Sequence, residues 1–317
     1  MRRHLIFLLL LSSFSAGAAA FPVTVNSCGK PVTFNRPPER AIINDLNMAE
    51  MAFALNLQDR IVGLTGISGW YKMTEDFNQR RGEIPELAPK YPSLETLLAA
   101  RPDFFFAGWN YGMKPGGDVT PETLRPFGIA TFVLSESCIF TGKPSAKASM
   151  ALLYNDQITL GKIFGKEKEA RALTALWKKR LSALPMRPAG TRLANVFIYD
   201  SGEDKPFTSG RYAMPTAIVE AAGGHNVMDN LQASWTTTSW EHVATTEPDL
   251  IILLDYQSGS GADALQRFLE SHPLMKSTPA VKQKRYLKLR YEELTPGPAN
   301  IDAIEKLARS LYGKKPL

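Results

Sequence analysis

Histidine and cysteine are scarce in this 317-residue chain, with four of the first and two of the second. The three histidines beyond the first 20 residues, His225, His242 and His272, do not stand at metal-ligand spacing to one another, so a histidine-built metal site is not expected. Catalytic loops that can be read locally are missing too. There is no G-x-S-x-G elbow, P-loop, G-x-G-x-x-G loop or H-E-x-x-H pair, and the commonest signatures of hydrolases, NTPases, dehydrogenases and metalloproteases go with them. No stretch after the first 20 residues approaches the roughly 18 apolar residues of a transmembrane helix. Basic residues exceed acidic ones mildly, 37 against 31, and never run five or six together, so nucleic acid is not an expected partner.

What is present begins with an export signal. Residues 1–20 offer Arg2, Arg3 and His4, then the apolar Leu5 to Leu11, then Ala18-Ala19-Ala20, the pattern of a cleaved signal peptide. Loss of Arg2 and Arg3 lowers the formal charge from +6 to +4. Val25-Asn26-Ser27 before Cys28 is not the small apolar box of a lipid anchor, so a free, monomeric periplasmic protein is expected. Cys28 and Cys138 in an oxidising compartment are expected to pair; closing a loop of about 110 residues contributes on the order of 4 kcal/mol by the chain-entropy argument.

The middle of the chain is helical. Within residues 145–184, the stretch Lys166 to Leu184 places Ala170, Leu173, Trp177, Leu181 and Leu184 on one face and lysines and arginines on most of the other, an amphipathic helix of about 28 Å. It reads as a spine between an α/β half at 21–144 and another at 185–317, each a run of alternating strands and helices with the short connections of a parallel sheet. A repeat supports two related halves. Ser93-Leu-Glu95, then Pro102-Asp103 and Phe104-Phe105-Phe106, returns 146 positions later as Ser239-Trp-Glu241, then Pro248-Asp249 and Leu250-Ile251-Ile252. Each copy spells a serine-capped helix, a proline turn and a buried strand.

Aromatic residues concentrate in the loops that follow predicted strands: Trp70-Tyr71, Trp109-Asn110-Tyr111, Ser209 with Arg211 and Tyr212, Trp235, Tyr256, and Arg290-Tyr291. Ligands of open α/β sheets bind beyond the carboxyl ends of the strands. Any one of these rings is explained by loop packing; together they predict a cleft between the halves, with Arg211 or Arg290 to hold a charged ligand.

Several segments carry a resemblance: Pro38-Glu39-Arg40-Ala41-Ile42, both copies of the repeat, Leu160 through Glu167 as LGKIFGKE, Phe207-Thr208-Ser209-Gly210, and Ala221 through Val227 as AAGGHNV. Their order and spacing resemble the periplasmic substrate-binding proteins of ABC importers for ferric siderophores, cobalamin and haem, over nearly the whole chain past the signal. The resemblance implies two Rossmann-like lobes joined by a single long helix (the helical-backbone, class III architecture), a cleft between them, and small hinge motion. It further implies that Glu95 and Glu241 meet arginines on the two subunits of an inner-membrane permease dimer, and that the chain binds without catalysis and holds no cofactor of its own. The ligand stays open: a ferric siderophore, a haem ligated by a tyrosine such as Tyr111 or Tyr212, or a corrinoid against stacked tryptophans. An exported enzyme using the same cleft, and a sensor reporting to a membrane receptor, are the rival readings.

Overall fold

The computed structural model describes residues 21–70, 73–142, 146–185, 187–256 and 261–313; the signal segment 1–20 and Tyr71 lie outside them. Among the described residues the first half carries a sheet of six parallel strands, with Glu86–Ala88, Ile61–Thr65, Ala41–Asn44, Phe104–Trp109 and Ala130–Val133 in that spatial order and the two-residue Gly112–Met113 also pairing with Phe104–Trp109. The second half carries four, in the order Gly224–Asn226, Ala194–Tyr199, Leu250–Asp255, Tyr286–Arg290. In each half the first strand of the chain lies between the second strand and the one that follows the serine-capped helix. That order is doubly wound. The central strands are buried on both faces: Phe104 and Phe106 join one apolar cluster while Phe105 and Ala107 join another, the alternation a strand imposes on its side chains.

The repeat has a structural cause. Ser93 accepts from the Thr96 amide at 3.1 Å and Ser239 from the His242 amide at 3.2 Å, capping the helices Leu94–Ala99 and Trp240–Thr245. Arg101 and Glu247 then turn the chain at φ 48° and 47°. Asp103 accepts from the amides of Glu39 and Arg40, both at 2.9 Å, where Ala41–Asn44 begins. Asp249 does the same for the Asn195 amide at 2.7 Å and adds the Arg192 guanidinium. Each aspartate therefore fastens the entry of its own strand to the entry of the first strand in that half, satisfying backbone donors that the sheet leaves over.

Between the halves stand two helices, Met150–Ile163 and Glu167–Ser182. The LGKIFGKE segment is the break: Gly165 takes φ 71°, the left-handed conformation that commonly ends a helix. The contact between halves falls to the first helix, where the sequence placed it in the second. Gln157 donates to the Met51 carbonyl at 3.0 Å, and Asp156 accepts from the Ser135 amide at 2.9 Å; just before the helix, the Ala148 amide donates to the Arg211 carbonyl of the second half at 2.9 Å. Glu167–Ser182 packs on its predecessor and on the helix Ala299–Tyr312, to which Arg180 is tied through Asp302 and Glu305. Its amphipathic pattern is genuine, and its buried face serves the second half. Cys28 and Cys138 are joined, with their Cα atoms 5.2 Å apart, stapling the N-terminal hairpin Val23–Ser27 and Lys30–Phe34 to the turn Ser135–Phe140.

The halves also meet directly where Tyr291–Gly297 lies against the helix Leu46–Phe53. Asn47 donates to the Pro296 carbonyl at 2.7 Å and the Tyr291 hydroxyl to Asp45 at 3.1 Å. Glu50 is buried in this contact. Burial first, and then the neighbouring Glu292 charge, raise its carboxyl from 4.5 to about 8, with Arg80 and Arg290 pulling the other way. A raised carboxyl favours the folded state while the fold holds the proton: that stability is complete below about pH 4.5 and lost as pH rises through about 8. Glu50→Gln is therefore expected to match the wild type near pH 5 and to exceed it by on the order of a few kcal/mol above pH 8. Denaturant unfolding at the two pH values checks this; a difference that does not grow with pH would sink the assignment.

Candidate functional site

A cavity of about 350 Å³ lies between the halves. The first half supplies Asn110, Tyr111 and Phe140; the second supplies Trp235, Tyr256 and Tyr291 among others. Position follows from topology. Asn110 and Tyr111 leave the strand Phe104–Trp109, Asp200 follows Ala194–Tyr199, Tyr256 follows Leu250–Asp255 and Tyr291 follows Tyr286–Arg290, all at carboxyl ends of parallel strands. A larger concavity of about 750 Å³ beside the disulfide is lined by the first half alone, with Lys30 paired to Glu122 at its edge. Only the smaller cavity is shared by the strand ends of both halves.

The walls are rings. Phe207 and Trp235 stack with centroids 6.0 Å apart, Tyr256 and Tyr291 sit 6.3 Å apart, and Phe140 is 40% exposed. Each cavity tyrosine spends its proton on a carboxylate. Tyr111 donates to Glu136 at 3.1 Å, Tyr256 to Asp200 at 2.7 Å, and Tyr291 to Asp45 at 3.1 Å. The other oxygen of Glu136 accepts the Met214 amide, which opens the second-half helix Met214–Ala221, so one buried first-half side chain joins a cavity tyrosine to the second half. Burial raises Glu136 to about 7, against the lowering effect of the Met214 and Tyr111 bonds, and burial likewise raises Asp200. Tyr111 and Tyr256 are pushed far above the ordinary phenol range, by burial first and by Glu136 or Asp200 next.

This arrangement suits holding flat or bulky groups by ring contact and hydroxyl lone pairs. It does not suit ligating a ferric ion through tyrosinate, which requires the phenol proton to leave. Among the described residues no group of three or more histidine, cysteine, aspartate or glutamate side chains is arranged to hold a metal ion. The histidines are dispersed: His225 faces Asp229, His242 bonds Thr238 and His272 packs on Trp240.

Of the residues expected in the cleft, Asn110, Tyr111, Trp235, Tyr256 and Tyr291 line the cavity. Trp109 turns into the first-half core and edges the larger concavity. Ser209 is buried beside Thr216. Arg211 lies over the Tyr212 ring, whose hydroxyl bonds Gln232, outside the cavity lining. Arg290 is engaged by Glu292 and Glu293 and so has its charge met before any ligand arrives. Trp70 lies outside the cavity lining, with its ring 6.2 Å from that of Tyr91. Glu136, Asp200, Phe140 and Asp45 were missed, because a carboxylate or phenylalanine in a loop has no sequence mark until the strand ends converge. In an alkaline titration followed by tyrosinate absorbance, Tyr111→Phe and Tyr256→Phe are each expected to lose amplitude only in the phase that accompanies unfolding. Amplitude lost from the native phase would refute the hydroxyl–carboxylate pairing.

Residues 43–291 match the model of a family described as periplasmic binding protein. A cobalamin-binding protein of Halobacterium salinarum is 26% identical over 251 residues, covering 78% of this chain. The chain spans 61% of that relative's length. A crystal structure of a periplasmic binding protein from Veillonella parvula superposes with a TM-score of 0.79 at 25% identity, covering 93% of this chain and 98% of the other. An Fe3+-hydroxamate transport protein from Saccharomonospora viridis gives 0.74 at 23% identity, covering 92% and 99%, and speaks to the fold. With the family model spanning most of the chain and both halves superposing on such a protein, the chain belongs to the periplasmic binding protein family.

Proposed function

We propose that this protein is exported by its first 20 residues to the periplasm, where, as a monomer, it captures a metal chelate or tetrapyrrole and passes it unaltered to the permease of an ABC importer. The observation that carries this reading is the ring-walled cavity shared by the carboxyl strand ends of both halves. The Halobacterium relative's cobalamin and the Saccharomonospora protein's ferric hydroxamate are both complexes in which chelating groups already surround the metal. That fits a cavity whose tyrosine protons are committed to carboxylates. A ligand of this kind is held from outside its coordination sphere, so any metal belongs to the cargo and the protein needs no resident cofactor. Haem held by ring contact alone is compatible with the same walls; haem ligated by Tyr111 is disfavoured by the Glu136 pairing. A ligand larger than about 350 Å³ extends past the rim or holds the halves further apart.

Native mass spectrometry with an absorption spectrum on protein released gently from its own host tests the capture. One bound mass with the band of a corrinoid, a ferric chelate or haem is expected, and titration of the stripped protein with cyanocobalamin, haemin and a ferric hydroxamate should quench tryptophan fluorescence for that ligand. Binding of none of the three, or recovery of a chemically altered ligand, would overturn the reading.

Delivery rests on Glu95 and Glu241, exposed in the first turns of the two matched helices. Carboxylates there are favoured by the helix dipole whatever they meet, but the same placement on both halves suits a two-subunit partner. Reversing both to lysine should abolish uptake in cells and leave ligand affinity unchanged; a fall in affinity would remove them from the docking role.

A further inference from the structure

Three loops leave the carboxyl ends of the first-half strands Ile61–Thr65, Glu86–Ala88 and Phe104–Trp109 and meet one another next to Asn110, which lines the cavity. The first brings Trp70, the second Lys90 and Tyr91, the third Asn110 and Lys114. Lys90 Nζ stands 4.5 Å from the centre of the Trp70 ring and Lys114 Nζ 5.6 Å from that of Tyr91, with the two rings 6.2 Å apart. The Tyr91 hydroxyl donates to the carbonyl of Asn110, which itself lines the cavity. Tyr91 is raised to about 12, by burial first and then by Asp45, the carboxylate that accepts from Tyr291 across the cleft. The shelf is thus continuous with the cavity wall.

It is also held in place. The Gly69 amide donates to the Pro89 carbonyl at 2.9 Å, and a Cβ at Gly69 would stand 2.5 Å from that same oxygen, so only glycine lets the Trp70 loop lie against Lys90. Lysine stems commonly cover rings on protein surfaces, and a packing role of that kind explains either pair singly. Two further observations point to a ligand. Trp70 remains 39% exposed with a cation over its face, and neither lysine makes an ion pair among the described residues. Inside the cavity the charge has the opposite sign: Asp200 lines it, no lysine, arginine or histidine does among the described residues, and Arg290 nearby is engaged by Glu292 and Glu293. An anionic group carried into the cleft finds compensation at the shelf and none among the described residues of the cavity lining.

We propose that Lys90 and Lys114, on the Trp70–Tyr91 rings, form a subsite for the carboxylate or phosphate groups of a ring-bearing ligand whose body occupies the cleft. The assignment rests on the capture reading above and adds which end of the ligand carries charge and where it lies. Oriented this way, the ligand's uncharged face meets Tyr256, Trp235 and Phe207, and its anionic edge stays near solvent.

The test uses a small aromatic anion, so that it does not depend on the cargo. Trimesate, a benzene ring with three carboxylates, and its neutral triamide are titrated into the mature protein while tryptophan fluorescence is read. Wild type should show saturable quenching with trimesate and weaker response to the triamide, and the quenching should be absent in Trp70→Phe. Lys90→Gln with Lys114→Gln, both exposed positions, should bind trimesate about tenfold more weakly, lose most of the salt dependence, and leave the response to the triamide unchanged. No saturation at millimolar trimesate, equal binding of anion and amide, or a double variant that binds as the wild type does would overturn the subsite. These outcomes are independent of whether cyanocobalamin, haemin or a ferric hydroxamate binds, so the shelf and the capture reading can fail separately.

Discussion

A carboxylate removed from water must be met by donors, and the halves of this protein are fitted together around that requirement. Glu136 takes one hydrogen bond from Tyr111 and one from the Met214 amide; Asp45 accepts from Tyr291; Asp156 is met by Ser135. Stripping a donor from such a group leaves its desolvation uncompensated, so each contact specifies how the surfaces face one another. The same bonds orient the cavity tyrosines. With their protons directed into the protein, the rings offer faces and lone pairs to whatever enters.

The fold was legible in the sequence wherever burial was dense. Phe104-Phe105-Phe106 and Leu250-Ile251-Ile252 read as two-sided buried strands and are so; the serine caps and the aspartates at 103 and 249 repeat because each half needs the same strand entry fastened. The edge strands Glu86–Ala88 and Gly224–Asn226 escaped notice. They are three residues each, too short to show a period, and they exist because a neighbouring strand offers them hydrogen bonds. The bridging helix was placed one helix too late for a related reason: Glu167–Ser182 has one wet face and an obvious stripe, whereas Met150–Ile163 buries Asp156 and Gln157 between other elements and so lacks a clean apolar face.

The site was legible in part. Tyrosines within two residues after strands, at 111, 256 and 291, did reach the cavity, because the first residues beyond a parallel strand are carried to the carboxyl edge of the sheet by the backbone alone. Trp109 did not, because it is still the last residue of the strand Phe104–Trp109, where it shares the buried face of Phe105 and Ala107. The arginines misled for an electrostatic reason. Arg290 is followed within three residues by Glu292 and Glu293, and a guanidinium so close to two buried carboxylates answers to them first.

The disulfide bears on the cavity in a way its distance from the rings conceals. Cys138 lies in the same short turn as Glu136 and Phe140, so the bond to Cys28 anchors that wall to the start of the chain and to the strand Ala130–Val133, whose Val133 amide donates to Ser27 at 2.9 Å. A covalently braced wall has little conformational freedom left to lose when a ligand settles against it. Preorganisation of this kind lowers the ordering cost of association.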